Sequence, residues 1–146
     1  MELGALLVNT TPGLIDLALF VARAFIGICF VVHGLGKLGL VGTGDLAGFA
    51  DWLASLGLPL PKLQARMAMA SEIAGGVALA LGFVMRPACL LLIFTMAVAG
   101  VVGHRGSGYL ITNDPPGAEY TINLAALCFV LFLTGPGAIS VDAVFF

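Results

Sequence analysis

From Leu14 to Leu38 the chain reads LIDLALFVARAFIGICFVVHGLGKL, a run that is apolar apart from Asp16, Arg23, His33 and Lys37. A transmembrane helix needs ~20 predominantly apolar residues, so this stretch predicts a first span over 14–38. Three further apolar runs predict spans over about 63–85, 87–103 and 118–134. Between the first two lies DLAGFADWLASL, residues 45–56. Asp45 is placed to cap it, Gly57 to occupy the first position beyond its end, and Pro59 and Pro61 to stop it. A helix of that length covers only ~18 Å and cannot cross. Leu46, Phe49, Leu53 and Leu56 share a face with Trp52 beside them, which predicts a short interfacial helix. It would be either a lid or a plain connector.

The breaks between runs are short and rich in Gly and Pro. Gly39, Gly42 and Gly44 close the first span. Met85-Arg86-Pro87 reads as a tight turn with Pro87 opening the third span, and Gly135-Pro136-Gly137 ends the fourth. Alternating helices with short connections and no period-two pattern predict a single all-α domain: an integral membrane up-down-up-down four-helix bundle, with the interfacial helix between spans 1 and 2. Composition agrees. Hydrophobic residues make up 60% of the chain and charged residues 10%, against roughly 45–50% and about 25% in soluble domains, and mean hydropathy is +1.12.

Charge adds orientation. Lys37, Lys62, Arg66 and Arg105 flank one side and Arg86 the other, so the positive-inside rule puts both termini outside the cytoplasm. Six scattered basic residues form no nucleic-acid patch. The lead MELGALLVNTTPG lacks the basic start of a cleavable signal, and the first span is expected to be retained. Cys29, Cys89 and Cys128 fall singly in different runs, without metal or redox spacing, and read as small buried hydrophobes.

Ionisable groups inside spans are costly and face partners. Arg23 and Glu72 fall near the middles of oppositely running spans, ~7–8 Å apart in depth, which predicts a buried ion pair. Its role is either a register lock or part of a ligand or proton site. Gly27 and Gly34 on Arg23's face, and Gly75 and Gly76 on Glu72's, are the expected helix-packing positions. The ends of spans 1 and 3 and the start of span 4 gather His33, Lys37, His104, Glu119, Tyr120 and Asn123 on one side of the membrane. Two histidines with cations, a carboxylate and a phenol could hold the carbonyl oxygens of a quinone and exchange protons with them. No His/Glu spacing points to a metal.

The ordered set Arg23, Phe30-Val31-Val32-His33-Gly34-Leu35-Gly36-Lys37-Leu38, Gly48-Phe49, Leu56-Gly57-Leu58-Pro59, Glu72-Ile73-Ala74-Gly75-Gly76, Leu81-Gly82, Arg86, Glu119-Tyr120 and Leu133-Thr134-Gly135-Pro136-Gly137 resembles the DoxX family of small bacterial membrane proteins. The resemblance covers about residues 17–142. It implies a four-helix protein of the bacterial inner membrane and a link to sulfur and redox metabolism. The family takes its name from the membrane subunit of a thiosulfate:quinone oxidoreductase, and relatives are associated with superoxide dismutase and a sulfurtransferase. The matching positions are Arg23, His33, Gly34, Lys37, Glu72, Gly75, Gly76, Arg86 and Glu119. With no cysteine pair in the sequence, electrons are placed on a bound quinone or on a partner.

Three functions are then open. The first is a membrane subunit of a redox complex with quinone as its ligand. The second is a non-enzymatic scaffold that recruits soluble redox proteins through its connectors. The third is a small-molecule or proton carrier around Arg23 and Glu72, which four unbroken helices would serve best as a homo-oligomer.

Overall fold

The structure, a computed structural model, describes residues 10–146; most of the polar-to-apolar lead lies outside the described residues. Among the described residues are six helices and no strand: α1 (Pro12–Lys37), α2 (Leu46–Ser55), α3 (Pro61–Leu81), α4 (Met85–Gly103), α5 (Glu119–Thr134) and α6 (Asp142–Phe145).

The helix ends follow from local chemistry. Asp45 caps α2 by accepting from Gly48 N at 2.7 Å. Three helices close with a left-handed glycine, at Gly39, Gly57 and Gly82. In each, the following amide reaches back five residues: Leu40 to Leu35, Leu58 to Leu53 and Phe83 to Ala78. The third closure corrects an expected boundary. The chain turns at Gly82-Phe83-Val84, not at Met85-Arg86-Pro87, so α3 stops at Leu81 and α4 begins at Met85. Pro87 is accommodated as the third helical residue, where an amide has no intrahelical partner to lose.

Small residues bring α1 and α3 together in antiparallel contact. A Cβ on Gly27 would lie 2.5 Å from Gly76 O and 2.6 Å from Ala80 N, and one on Gly34 would lie 2.5 Å from Ile73 Cγ1. Only hydrogen fits at these points. Gly75 faces α4 instead, with Leu92 Cδ2 at 2.9 Å from where its Cβ would be. Ser71 and Thr95 place their hydroxyls 3.0 Å apart across α3 and α4. The main core joins Phe30, Leu79, Met85, Cys89, Leu92, Met96, Leu124, Cys128 and Leu131. All three cysteines are free, and Cys89 and Cys128 are fully buried in this core. A smaller cluster of Ala50, Leu53 and Ala65 seats α2 on α3, and the Trp52 ring closes against Gly103 of α4.

The chain's end is tied back across the α3–α4 turn. Val141 N and Asp142 N donate to Leu81 O and Gly82 O. The Asp142 carboxylate accepts from Val84 N at 2.7 Å and Met85 N at 3.0 Å, capping α4 from outside its own sequence. Asp16 accepts from Ala138 N at 2.8 Å, so it serves the same tether.

Outward faces are apolar: Phe25 is 78% exposed, Val101 71% and Phe94 67%. α1 and α4 are long and apolar enough to cross a membrane. α3 has 21 residues but is diluted by Lys62, Gln64, Arg66, Ser71 and Glu72, and α5 has only 16. Of the four spans read from the sequence, two are therefore long apolar helices, one is polar-spiked and one is short.

Two stability measurements test this packing. Gly27→Val should cost about 1–3 kcal/mol by overpacking, while Gly13→Ala, whose Cβ meets nothing within 4 Å, should be near neutral. Asp142→Ala should cost about 1 kcal/mol through the lost α4 cap. Thermal unfolding in detergent reads both.

Candidate functional site

The last turns of α1 carry His33 and Lys37, and the chain then bends through Gly39 and Gly42 to bring α2 back over them. The space left is an open groove of about 580 Å³. Val32, Val41 and Phe49 form its apolar walls, and His33, Lys37 and Asp45 bring polar groups to it. Phe49 is fixed by stacking on Trp52, with ring centroids 5.7 Å apart, and lies 5.1 Å beneath Lys37 Nζ.

Lys37 also reaches into the helix pair. Its Nζ donates to Glu72 Oε2 at 2.6 Å and Oε1 at 2.8 Å. The Glu72 side chain is only 6% exposed and that of Lys37 19%. The expected Arg23–Glu72 pair is thus corrected: Glu72 belongs to Lys37. Helix register explains the change. With Gly27 against Gly76 and Gly34 against Ile73, Arg23 falls opposite Gly82, ten residues beyond Glu72, or ~15 Å along the axis. Aligning the span middles missed this, because the glycine contacts set the offset.

Arg23 instead secures the other end of the molecule. It is 1% exposed and donates to Ala80 O at 2.6 Å and to Ile139 O, with Phe20 5.1 Å from its guanidinium carbon. Ala80 O is one of the last α3 carbonyls, so the cation sits at the negative end of that helix. Its Nε has no partner among the described residues.

His33 packs on Tyr120 of α5, with ring centroids 5.0 Å apart at a 41° tilt. Tyr120 Oη lies 3.1 Å from Cys29 Sγ. These contacts join α1 to α5 beside the groove. The remaining candidates serve the 104–118 connector. His104 Nδ1 donates to Pro116 O at 2.7 Å, Glu119 Oε2 accepts from Ile111 N at 2.9 Å, and Asn123 Oδ1 accepts from Tyr109 Oη at 3.2 Å. One polar end therefore divides into a groove with His33 and Lys37, a flank with Tyr120, and a connector held by His104, Glu119 and Asn123. Cys29, Phe49 and Asp45 were absent from the sequence-based site. Cys29 could have been found from its α1 face, four residues before His33. No group of three His, Cys, Asp or Glu residues suited to a metal occurs among the described residues.

The groove thus sets hydrogen-bond donors on His33 and Lys37 between apolar walls. A family model described as DoxX matches residues 18–105, a stretch holding His33, Lys37, Phe49 and Glu72 but ending before Glu119 and Tyr120. Inner membrane protein YphA of Escherichia coli is 33% identical over 130 residues, covering 85% of this chain and 87% of that protein. No solved structure matches.

A mutant cycle tests the ion pair. Lys37→Met or Glu72→Leu alone should cost about 3–5 kcal/mol by stranding a buried charge, and the double variant should regain most of the loss. Strictly additive losses in detergent unfolding would remove the coupling.

Proposed function

The chain belongs to the DoxX family, and from that premise we propose that it is the membrane subunit of a redox complex, with a quinone headgroup seated beside His33 and Lys37. It is an inner-membrane protein, as its Escherichia coli relative is. In this reading α1, α3, α4 and α5 cross the bilayer up-down-up-down as a four-helix bundle, and α2 lies at the interface. The apolar outer faces support that arrangement, as do the ion-paired Glu72 and the carbonyl-bonded Arg23, buried charges that each have a partner.

The observation that carries the reading is the groove of about 580 Å³ in which His33 and Lys37 stand between apolar walls. A quinone accepts two electrons and two protons to become a quinol. His33 is the groove residue of the type that exchanges protons near neutral pH. Lys37 can orient a carbonyl oxygen while keeping Glu72 neutralised. The electrons come from a soluble redox partner. Protein purified in mild detergent should co-elute with quinone, and His33→Ala should weaken binding of added ubiquinone about three- to tenfold, the effect of one lost hydrogen bond. Quinone no richer than in the surrounding lipid, and unchanged by His33→Ala, would sink the reading.

A scaffold role has one observation in its favour. Tyr109, Leu110 and Ile111 stand about half exposed on a connector that Glu119 and Asn123 hold in place. Capture of soluble partners that is lost on replacing residues 104–117, yet survives His33→Ala, would favour it. Orientation has its own test. With both termini outside the cytoplasm, a C-terminal alkaline phosphatase fusion should be active and a C-terminal fluorescent-protein fusion dark.

A further inference from the structure

We infer that the α3–α4 turn and the segment folded onto it, residues 138–145, lie among lipid acyl chains: after α5 the chain re-enters the bilayer, and the partner of this face is lipid. The inference rests on the bilayer-crossing bundle proposed above and not on the quinone. α3 and α4 then end inside the far leaflet.

Three observations converge on lipid. The first is depth. A Cβ on Gly27 would lie 2.6 Å from Ala80 N, and α3 ends one residue beyond that contact. α1 runs on from Gly27 to Pro12, ~22 Å along its axis, and Leu14, Ile15, Leu17 and Val21 on that stretch are exposed. The turn therefore falls nearer the middle of α1 than its end. The returning chain fills the step. A Cβ on Gly137 would lie 3.2 Å from Asp16 Oδ1, Ile139 O meets Arg23, and Val141 N and Asp142 N reach Leu81 O and Gly82 O. From Asp16 to Arg23 is ~10 Å along α1, so the segment travels back inward.

The second observation is the backbone. The last four α3 carbonyls are all bonded within the protein: Ala78 O accepts from Phe83 N, Leu79 O from Gly82 N, Ala80 O from Arg23 and Leu81 O from Val141 N. The far end of α4 differs, since its cap residue His104 makes a single backbone bond, to Gly100 O. The returning segment is satisfied in the same way. Asp16 accepts from Ala138 N, the Ser140 hydroxyl donates to Gly137 O and accepts from Ala143 N, and Asp142 accepts from Val84 N and Met85 N. Irregular backbone is tolerated at membrane depth only where the protein supplies its partners, because hydrocarbon supplies none.

The third observation is the surface. Arg23, Asp16, Ser140 and Asp142 are all occupied with those backbone groups, so the outward side is apolar. Val144 is 79% exposed and Phe145 72%, and Leu81, Phe83, Val84 and Ile139 at the same end are about half exposed. Arg86 is the charged side chain that stays exposed there among the described residues. Its Nε donates to Phe132 O, and its long stem lets the rest of the guanidinium reach outward to headgroup phosphates. Lipid on this face leaves soluble partners the opposite end, where α2 and the 104–118 connector lie.

The test reads single-tryptophan variants. Trp52→Phe removes the one native tryptophan, and Phe145→Trp, Val144→Trp, Phe94→Trp and Arg105→Trp are each made in that background. The full chain is placed in nanodiscs of phosphatidylcholine and phosphatidylglycerol, with bromine at mid-chain of the phosphatidylcholine or with iodide in the water. Phe145→Trp should lose emission to bromine about as strongly as Phe94→Trp, which lies on the outer face of α4, and should resist the iodide that quenches Arg105→Trp on the connector. Val144→Trp should repeat the result and decides it if Phe145→Trp does not fold. Quenching at both tail positions by iodide and not by bromine would overturn the re-entry. Protection from both quenchers would assign the face to protein, such as a second copy, and also overturn it. A Phe94→Trp signal untouched by bromine would instead overturn the crossing on which the inference rests.

Discussion

Everything in this molecule hangs on how closely α1 approaches α3. Gly27 lies on Gly76 and Gly34 on Ile73, at separations that no side chain survives. Such a contact has no slack along the helix axis. A slide along the axis would take each α1 glycine off its close contact and put a larger α1 residue there. The register follows, and it decides where each costly charge goes. Lys37 lands within reach of Glu72, and Arg23 lands at the C-terminal end of α3, where Ala80 O is free to accept its hydrogen bond.

The two cations of α1 thus do different work, Lys37 at the helix's last turn and Arg23 near its middle. Arg23 never meets a carboxylate directly. It binds carbonyls from α3 and from the returning chain, which explains why residues 138–142 fold back over the α3–α4 turn. Lys37 has a full counter-charge and still borders the open groove. Its ion pair is structural on the α3 side and available on the α2 side. A ligand at the groove would therefore meet a cation that is already oriented, with little side-chain freedom left to lose.

Much of the local structure was legible in the sequence because it rests on local chemistry. Asp45 as a cap, Gly57 and Gly39 as terminators and the apolar face of α2 all follow from residues a few positions apart. The α3–α4 boundary was not, since Pro87 is as acceptable at the third helical position as at the first, and Gly82 was the stronger signal. The depth argument brought Arg23 and Glu72 together by equating span centres, an assumption that the glycine contacts override. Gathering six polar residues at one end grouped side chains that the structure divides between the groove, the Tyr120 flank and the connector. It could not foresee that His104, Glu119 and Asn123 would be taken up by their own connector, because those bonds depend on how residues 105–117 fold.

The sparse contact between α1 and α5 is the last consequence of the same geometry. α1 has glycines where it meets α3, but toward α5 it presents Ile15, Ala18, Ala22 and Ile26, a face of mixed size that does not interlock. The two helices are pinned at the Tyr120–Cys29 contact and left apart below it. In water such a seam would be a defect, since apolar surface there would draw the helices closed. In a bilayer the drive to close it is absent, because hydrocarbon fills the gap at no cost. An open apolar seam of this kind therefore persists beside the groove without penalty.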